Sequence, residues 1–216
     1  FYQFDPGDWR ETPRLGVGFT MTAHMAFMEK AGLLRVRKSQ IDKLVKAMVE
    51  VTDSCALSVK TKQNPAKITA TALTKKPLLI VSAEHLDGNA HTMQNHINES
   101  AKQMARFVSL PELNHHLLEG LTFPKKAFEK YAVLMLRSDL YHKRTQVRFD
   151  VTANIFEKLG AEVIDYQCAG KTAIEECGEV LQFGAFLSFY LAMLNKVDPK
   201  NIPYVDKFKK ELAKRK

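Results

Sequence analysis

The sequence contains few cysteines and no long apolar run. Only Cys55, Cys168 and Cys177 carry a thiol among the 216 residues. The count is odd and no CxxC spacing occurs, which is typical of reduced, mostly buried thiols and argues against a disulfide framework. The most apolar stretch, Leu181 to Leu194, is too short to span a bilayer. No signal-peptide pattern is present at the N-terminus. These absences favour a cytoplasmic protein without a membrane partner.

Motifs for nucleotides, metals and nucleic acids are also missing. Neither GxGxxG nor GxxxxGK[ST] occurs, and AGKT (169–172) resembles only the end of a phosphate loop. The adjacent His115 and His116 are not accompanied by HExxH or by a Cys/His ligand spacing. The formal net charge of +8 would suit nucleic acid, an anionic membrane or a phosphorylated small molecule. Without a recognition motif, we expect no nucleic-acid partner, no metal and no cofactor.

Apolar runs of strand length alternate with helical periodicity in the second part of the chain. A parallel strand buried on both faces is predicted at 77–83, a second apolar strand at 131–136 and a third strand at 162–167. Helices are predicted at 14–31, 40–58, 65–74, 88–105, 142–159, 173–195 and 203–214, with Ser39 and Asp42 as a capping box for the second. This alternation is typical of an α/β fold, here a three-layer α/β/α sandwich with a central parallel sheet.

The composition of the chain changes near residue 60. A loop over 1–13 is followed by helical segments, whereas the strand–helix alternation begins near residue 77. We therefore predict one unit over 1–61 and a second over 62–216. The chain begins with Phe1 rather than Met, which favours the interpretation that it is a fragment of a longer protein.

Two polar segments are the candidate sites, because active sites of open α/β sheets lie at the carboxyl ends of strands. The first, HTMQNHINESAK (91–102), follows the first strand. Its Glu99 is either a general base in a cleft or part of a solvated helix face that pairs with Lys102. The second, SLPELNHHLLEG (109–120), is predicted as a loop. Its His115 is either structural or an acid/base group, since imidazole titrates near neutral pH.

These segments resemble the C-terminal half of the bifunctional phosphoglucose/phosphomannose isomerases, which are built from two sugar-isomerase (SIS) domains. The matching segments are NPAK (64–67), PLLIVSAEHL (77–86), INESAK (97–102), PELNHHLLEG (111–120) and the closing segment 170–212. The similarity covers about 64–212, and more loosely 10–60. It implies that 1–61 is the helical end of a first SIS domain and that 62–216 is the C-terminal SIS domain.

The resemblance implies an aldose–ketose isomerase that interconverts glucose 6-phosphate, and also mannose 6-phosphate, with fructose 6-phosphate through an enediol. Glu99 would move the proton between C1 and C2, and His115 would assist ring opening. Arg14, which follows a proline, would stabilise the enediolate. Lys209, with Lys210 as its rival, would help to open the ring. A carboxylate base, a fixed cation and a His/Lys proton relay suit this chemistry.

The resemblance also implies a homodimer with active sites at its interface, where His115 would serve the neighbouring subunit. The family binds the phosphate of a hexose with an SGNT-type loop in the first SIS domain, and no such loop occurs in this chain. An alternative is a non-catalytic sugar-phosphate-binding or regulatory SIS domain, since SIS folds serve both uses. The presence of both Glu99 and His115 favours the enzyme.

Overall fold

The computed structural model describes residues 5, 7 and 12–215, apart from the side chain of Leu15. The strands are β1 (Leu78–Ala83), β2 (Ala105–Leu110), β3 (Ala132–Arg137) and β4 (Glu162–Gln167). The helices are α1 (Val17–Lys30), α2 (Lys38–Cys55), α3 (Pro65–Leu73), α4 (Asp87–His96), α5 (Glu112–Gly120), α6 (Lys143–Lys158), α7 (Ala173–Leu194) and α8 (Pro203–Ala213). A π-helix, Ile97–Ala101, follows α4, and a 3-10 turn, Pro13–Gly16, precedes α1.

The four strands form one parallel sheet in the order β2-β1-β3-β4. The chain moves from β1 to β2 in one direction and from β3 to β4 in the other. Because parallel crossovers are right-handed, α4 and α6 lie on opposite faces of the sheet. On the α4 side, α7 packs against α3 and α4, and α2 packs along α7. This arrangement confirms the predicted α/β/α sandwich.

The central strands are buried on both faces, which explains their continuous apolar sequences. All six residues of β1 are buried, as are the first five of β3. Such strands give a strong sequence signal because every side chain must be apolar or hydrogen-bonded. Strands occur at all three predicted positions, 77–83, 131–136 and 162–167, although β4 has no buried residue and is identified by its pairing with β3. The three cysteines are free thiols, and burial raises the pKa of Cys168 and Cys177.

The prediction of a helix over 88–105 and of a loop over 109–120 is wrong. The helix α4 ends at His96, and β2 occupies part of the range assigned to helix and loop. Only the two end residues of β2 are buried, so this edge strand lacks the continuous apolar run that marks β1. The segment after β2 forms α5, with Leu113 buried on its inner face.

The helix α2 begins earlier than its predicted capping box. Its cap is Arg37, whose backbone N–H donates to Gln40 Oε1 at 2.9 Å. Asp42 instead pairs with Lys38 one turn away, at 2.8 Å, so Ser39 lies inside the first turn. The loop predicted over 1–13 falls outside the described residues, except for residues 5, 7, 12 and 13.

The helix α7 is long and apolar enough to cross a membrane by length and composition. The prediction that its apolar stretch is too short considered only Leu181 to Leu194, whereas the helix already begins at Ala173. Inside the fold, 56% of its apolar window is buried, and it contacts α2, α3 and α4. A central helix of a packed domain has this same length and composition, so the feature is weak evidence for a membrane span.

The close packing of α2 on α7 depends on Gly178. A Cβ atom at this position would lie 2.7 Å from the backbone oxygen of Leu44 and 3.3 Å from Met48 Cγ. We therefore expect Gly178→Ala to lower the free energy of unfolding by about 1–3 kcal/mol through overpacking. Chemical denaturation monitored by circular dichroism measures this change. The matched control is Gly88→Ala in α4, where a Cβ meets no atom within 4 Å. Equal stability of both variants and the parent would contradict the expectation.

Candidate active site

Glu99 lies on the π-helix that follows α4, and its side chain is 41% exposed. Short π-helices occur frequently at functional sites, because the extra residue redirects side chains. The preceding residue, Asn98, exchanges two hydrogen bonds of 3.0 Å with the backbone of Ala105, the first residue of β2. Glu99 therefore lies at the amino edge of the sheet, by which we mean the side where the strands begin. The expectation that this segment sits at the carboxyl ends of the strands is wrong.

Arg14 reaches this edge from the N-terminal 3-10 turn and faces Glu99. Its Nη1 atom lies 3.9 Å from Glu99 Oε2, and its Nε donates to Ser100 Oγ at 3.3 Å. Its Nη2 donates to the carbonyl oxygens of Pro199 and Lys200 at 2.7 and 2.6 Å. The Arg14 side chain is only 9% exposed. The structure thus brings two of the four predicted catalytic residues together and fixes the orientation of the guanidinium.

His96 contacts the backbone of Arg14 and is a residue of the site that the sequence did not indicate. Its Nε2 donates to the carbonyl oxygen of Arg14 at 2.8 Å, since a carbonyl can only accept. The side chain is buried, and this burial lowers the pKa of His96. The imidazole is therefore neutral at physiological pH and holds the Arg14 backbone without adding charge. The sequence signal that could have indicated His96 is its position three residues before Glu99.

Lys102 does not form the ion pair with Glu99 that a solvated helix face would give. It adopts a left-handed backbone conformation (φ 51°) that ends the π-helix. Its Nζ donates to the carbonyl oxygen of Asp198 at 2.6 Å and to that of Ser100 at 3.3 Å. Burial, together with the nearby charge of Arg14, lowers the pKa of Lys102. Glu99 consequently keeps Arg14 as its cationic neighbour.

His115 and His116 lie on α5, which follows the carboxyl end of β2, and both side chains are exposed. His116 Nε2 lies 3.4 Å from Glu112 Oε1. The strand β2 spans six residues, so its ends are roughly 16 Å apart at the usual rise of ~3.3 Å per residue. Within one chain, Glu99 therefore lies near the amino ends of the strands and His115 near their carboxyl ends, and the structure does not bring the two residues together.

Lys209 and Lys210 lie on α8, where every residue is exposed. No hydrogen bond or ion pair joins either lysine to Glu99 within the described part of the chain. The helix α8 nevertheless begins at Pro203, shortly after the carbonyl of Lys200 that Arg14 binds. The structure therefore attaches this helix beside the candidate site without placing either ammonium group in it.

The loop AGKT binds carboxylates of its own chain. The backbone N–H groups of Ala169 and Gly170 donate to the buried Glu179 at 3.0–3.1 Å. The hydroxyl of Thr172 donates to Glu175 at 2.7 Å. These donors are already satisfied, so the loop has no phosphate-binding function in this conformation. Among the described residues, no group of three or more His, Cys, Asp or Glu side chains is arranged to hold a metal ion.

Comparisons of the sequence with known proteins identify its family. The family model described as the bacterial phospho-glucose isomerase C-terminal SIS domain matches residues 62–212. A bifunctional phosphoglucose/phosphomannose isomerase from Caldicellulosiruptor bescii is 26% identical over 202 residues, which are 93% of this chain and 60% of that protein. Its namesake from Aquifex aeolicus is 25% identical over 202 residues, or 94% of this chain and 59% of that protein. The chain thus spans about three fifths of the length of these relatives.

A solved structure supports the fold independently of the sequence. The crystal structure of a glucose-6-phosphate isomerase like protein from Thermus thermophilus superposes with a TM-score of 0.66 at 18% identity. The match covers 80% of this chain and 57% of that chain. At this level of identity the similarity defines the architecture of the domain, and the chemistry has to be argued from the residues themselves.

Proposed function

Because this chain belongs to the family of bacterial phosphoglucose isomerase C-terminal SIS domains, we propose that it supplies the proton-transfer site of an aldose–ketose isomerase. The reaction interconverts glucose 6-phosphate, and also mannose 6-phosphate, with fructose 6-phosphate. The proposal is supported most directly by the pairing of Glu99 with Arg14 at the amino edge of the sheet. A partly exposed carboxylate beside an oriented guanidinium provides a base and a fixed positive charge at one place.

In the proposed reaction, Glu99 removes the proton from C2 of the open-chain aldose and returns it to C1. The electron pair released at C2 forms the C1=C2 double bond of the enediolate, and the negative charge on O1 requires a cation. The proton of the C2 hydroxyl moves to O1, so that C2 becomes the ketose carbonyl when C1 is protonated. Arg14 supplies that cation, and its contacts with Ser100 and with the turn at 199–200 hold it before the charge develops. Such preorganisation costs no reorganisation at the moment of reaction, which makes electrostatic stabilisation effective.

Ring opening requires one proton donated to the ring oxygen and another removed from the C1 hydroxyl. We assign these steps to His115 and Lys209. Since His115 lies at the far edge of the sheet from Glu99 in the same chain, the imidazole would come from the second subunit of a homodimer. Lys209 would approach from α8. The phosphate of the substrate would bind in a first SIS domain, of which 1–61 is the helical end, before the C-terminal SIS domain over 62–216.

The proposal describes a cytoplasmic enzyme that needs no cofactor and no metal. The test is a coupled assay of glucose 6-phosphate formation from fructose 6-phosphate in the presence of a chelator. It is applied to this chain and to the complete gene product. We expect turnover by the complete gene product and none with unphosphorylated fructose. A folded but inactive gene product would contradict the isomerase and favour a sugar-phosphate-binding domain.

A further inference from the structure

Two cations from separate parts of the chain bind three consecutive carbonyl oxygens in the turn between α7 and α8. Lys102 Nζ donates to the oxygen of Asp198 at 2.6 Å. Arg14 Nη2 donates to the next two oxygens, those of Pro199 and Lys200, at 2.7 and 2.6 Å. We call this arrangement the carbonyl clamp. It joins the N-terminal 3-10 turn, the end of the π-helix and the start of the C-terminal segment.

The turn is organised to present these carbonyl oxygens. The side chain of Asp198 accepts hydrogen bonds from the backbone N–H of Lys200 at 2.8 Å and from Asn201 Nδ2 at 2.7 Å. The carboxylate is thereby used within the turn, while the carbonyl oxygen of the same residue is bound by Lys102. The clamp therefore holds a turn that is already internally ordered.

Lys102 reaches the turn at an energetic cost, which argues that its placement is specific. A left-handed backbone is unfavourable for a residue with a Cβ atom, and Lys102 has φ 51° and ψ 32°. Its ammonium group also lies near the guanidinium of Arg14, and the two like charges repel each other. The three carbonyl dipoles offset this repulsion, because charge-assisted hydrogen bonds are stronger than neutral ones.

We propose that Lys102 is a positioning residue for the isomerisation. By holding the turn, it fixes the anchor of Arg14 beside Glu99 and the point from which α8 starts. The helix α8 has no buried residue. Within the described chain, the clamped turn therefore connects α8 to the rest of the domain and fixes the position of its first residue. This inference rests on the proposed function, and it adds a residue that contacts neither the substrate nor the reacting atoms.

The test replaces Lys102 with Met and with Arg in the complete gene product. We expect Lys102→Met to lower kcat by about tenfold to a hundredfold with a smaller change in KM, because small displacements of reacting groups have effects of this size. Lys102→Arg should restore most of the activity, since Arg can donate to the same carbonyl oxygen. Hydrogen–deuterium exchange should become faster over 198–213 in Lys102→Met and return towards the parent rate in Lys102→Arg.

The control variant is Lys75→Met, since Lys75 is also left-handed (φ 63°) and exposed. It should change neither kcat nor exchange over 198–213. Unchanged kcat in Lys102→Met would overturn the proposal, as would a loss of kcat with unchanged exchange and no rescue by Arg. If the parent itself showed no isomerase activity, the proposed function would fail. Hydrogen–deuterium exchange over 198–213 in Lys102→Met would then test only the carbonyl clamp. Faster exchange than in the parent would support the clamp, and an unchanged rate would overturn it.

Discussion

Replacing Glu99 with Gln in the complete gene product is expected to lower kcat by about 10²-fold to 10⁴-fold, the range that a general base contributes. The amide has nearly the same shape as the carboxylate but does not accept the C2 proton. KM should change much less, because in the proposed function the phosphate of the substrate binds in a first SIS domain, away from Glu99. The coupled assay with fructose 6-phosphate measures both parameters.

The fold should survive this change, since Glu99 is partly exposed and its contact with Arg14 is long, at 3.9 Å. Arg14 is nearly buried, but it keeps its hydrogen bonds to Ser100 Oγ and to the carbonyl oxygens of Pro199 and Lys200 when the carboxylate is replaced, so the thermal midpoint should stay close to that of the parent. Glu157→Gln is the matched control, because it makes the same chemical change on the exposed surface of α6. An active Glu99→Gln variant would exclude Glu99 as the base and remove the main support for the proposed chemistry.

The sheet could be predicted where burial makes the sequence pattern unambiguous. The continuous apolar runs of β1 and β3 follow from burial on both faces. The edge strand β2 was missed because its middle residues are partly exposed and include Arg106, so a helical pattern was extended into it. A strand that is buried only at its ends gives a local sequence no reason to prefer the extended conformation, and its pairing with β1 decides the outcome.

The contacts within the candidate site could not be predicted from local sequence patterns. The resemblance indicated Arg14 and Glu99, but no local rule places two residues so far apart in the sequence within contact. The position of Glu99 was misjudged because periodicity does not reveal that α4 continues as a π-helix and carries the carboxylate to the amino edge. His96 and Lys102 went unassigned because their partners are backbone carbonyl oxygens, which the sequence does not distinguish.

Mixing two inactive variants is expected to restore activity if the proposed site is shared between subunits. Glu99→Gln and His115→Gln should each be inactive alone, whereas their mixture should recover about a quarter of the parent activity. Random pairing makes about half of the dimers mixed, and one of the two sites in a mixed dimer combines the intact Glu99 and the intact His115. The expectation follows from the position of these residues at opposite ends of β2.

A second mixture provides the control that distinguishes shared sites from simple stabilisation of one variant by another. Arg14 and Glu99 contact each other within one chain, so Arg14→Gln mixed with Glu99→Gln should give no recovery. The subunits are mixed by co-expression with different affinity tags, which also verify that mixed dimers form. Recovery in both mixtures would contradict the assignment of Arg14 and Glu99 to the same subunit. Recovery in neither, with mixed dimers present, would mean that His115 does not complete the site of Glu99 across the interface. Glu99 and His115, at opposite ends of β2, would then belong to separate sites.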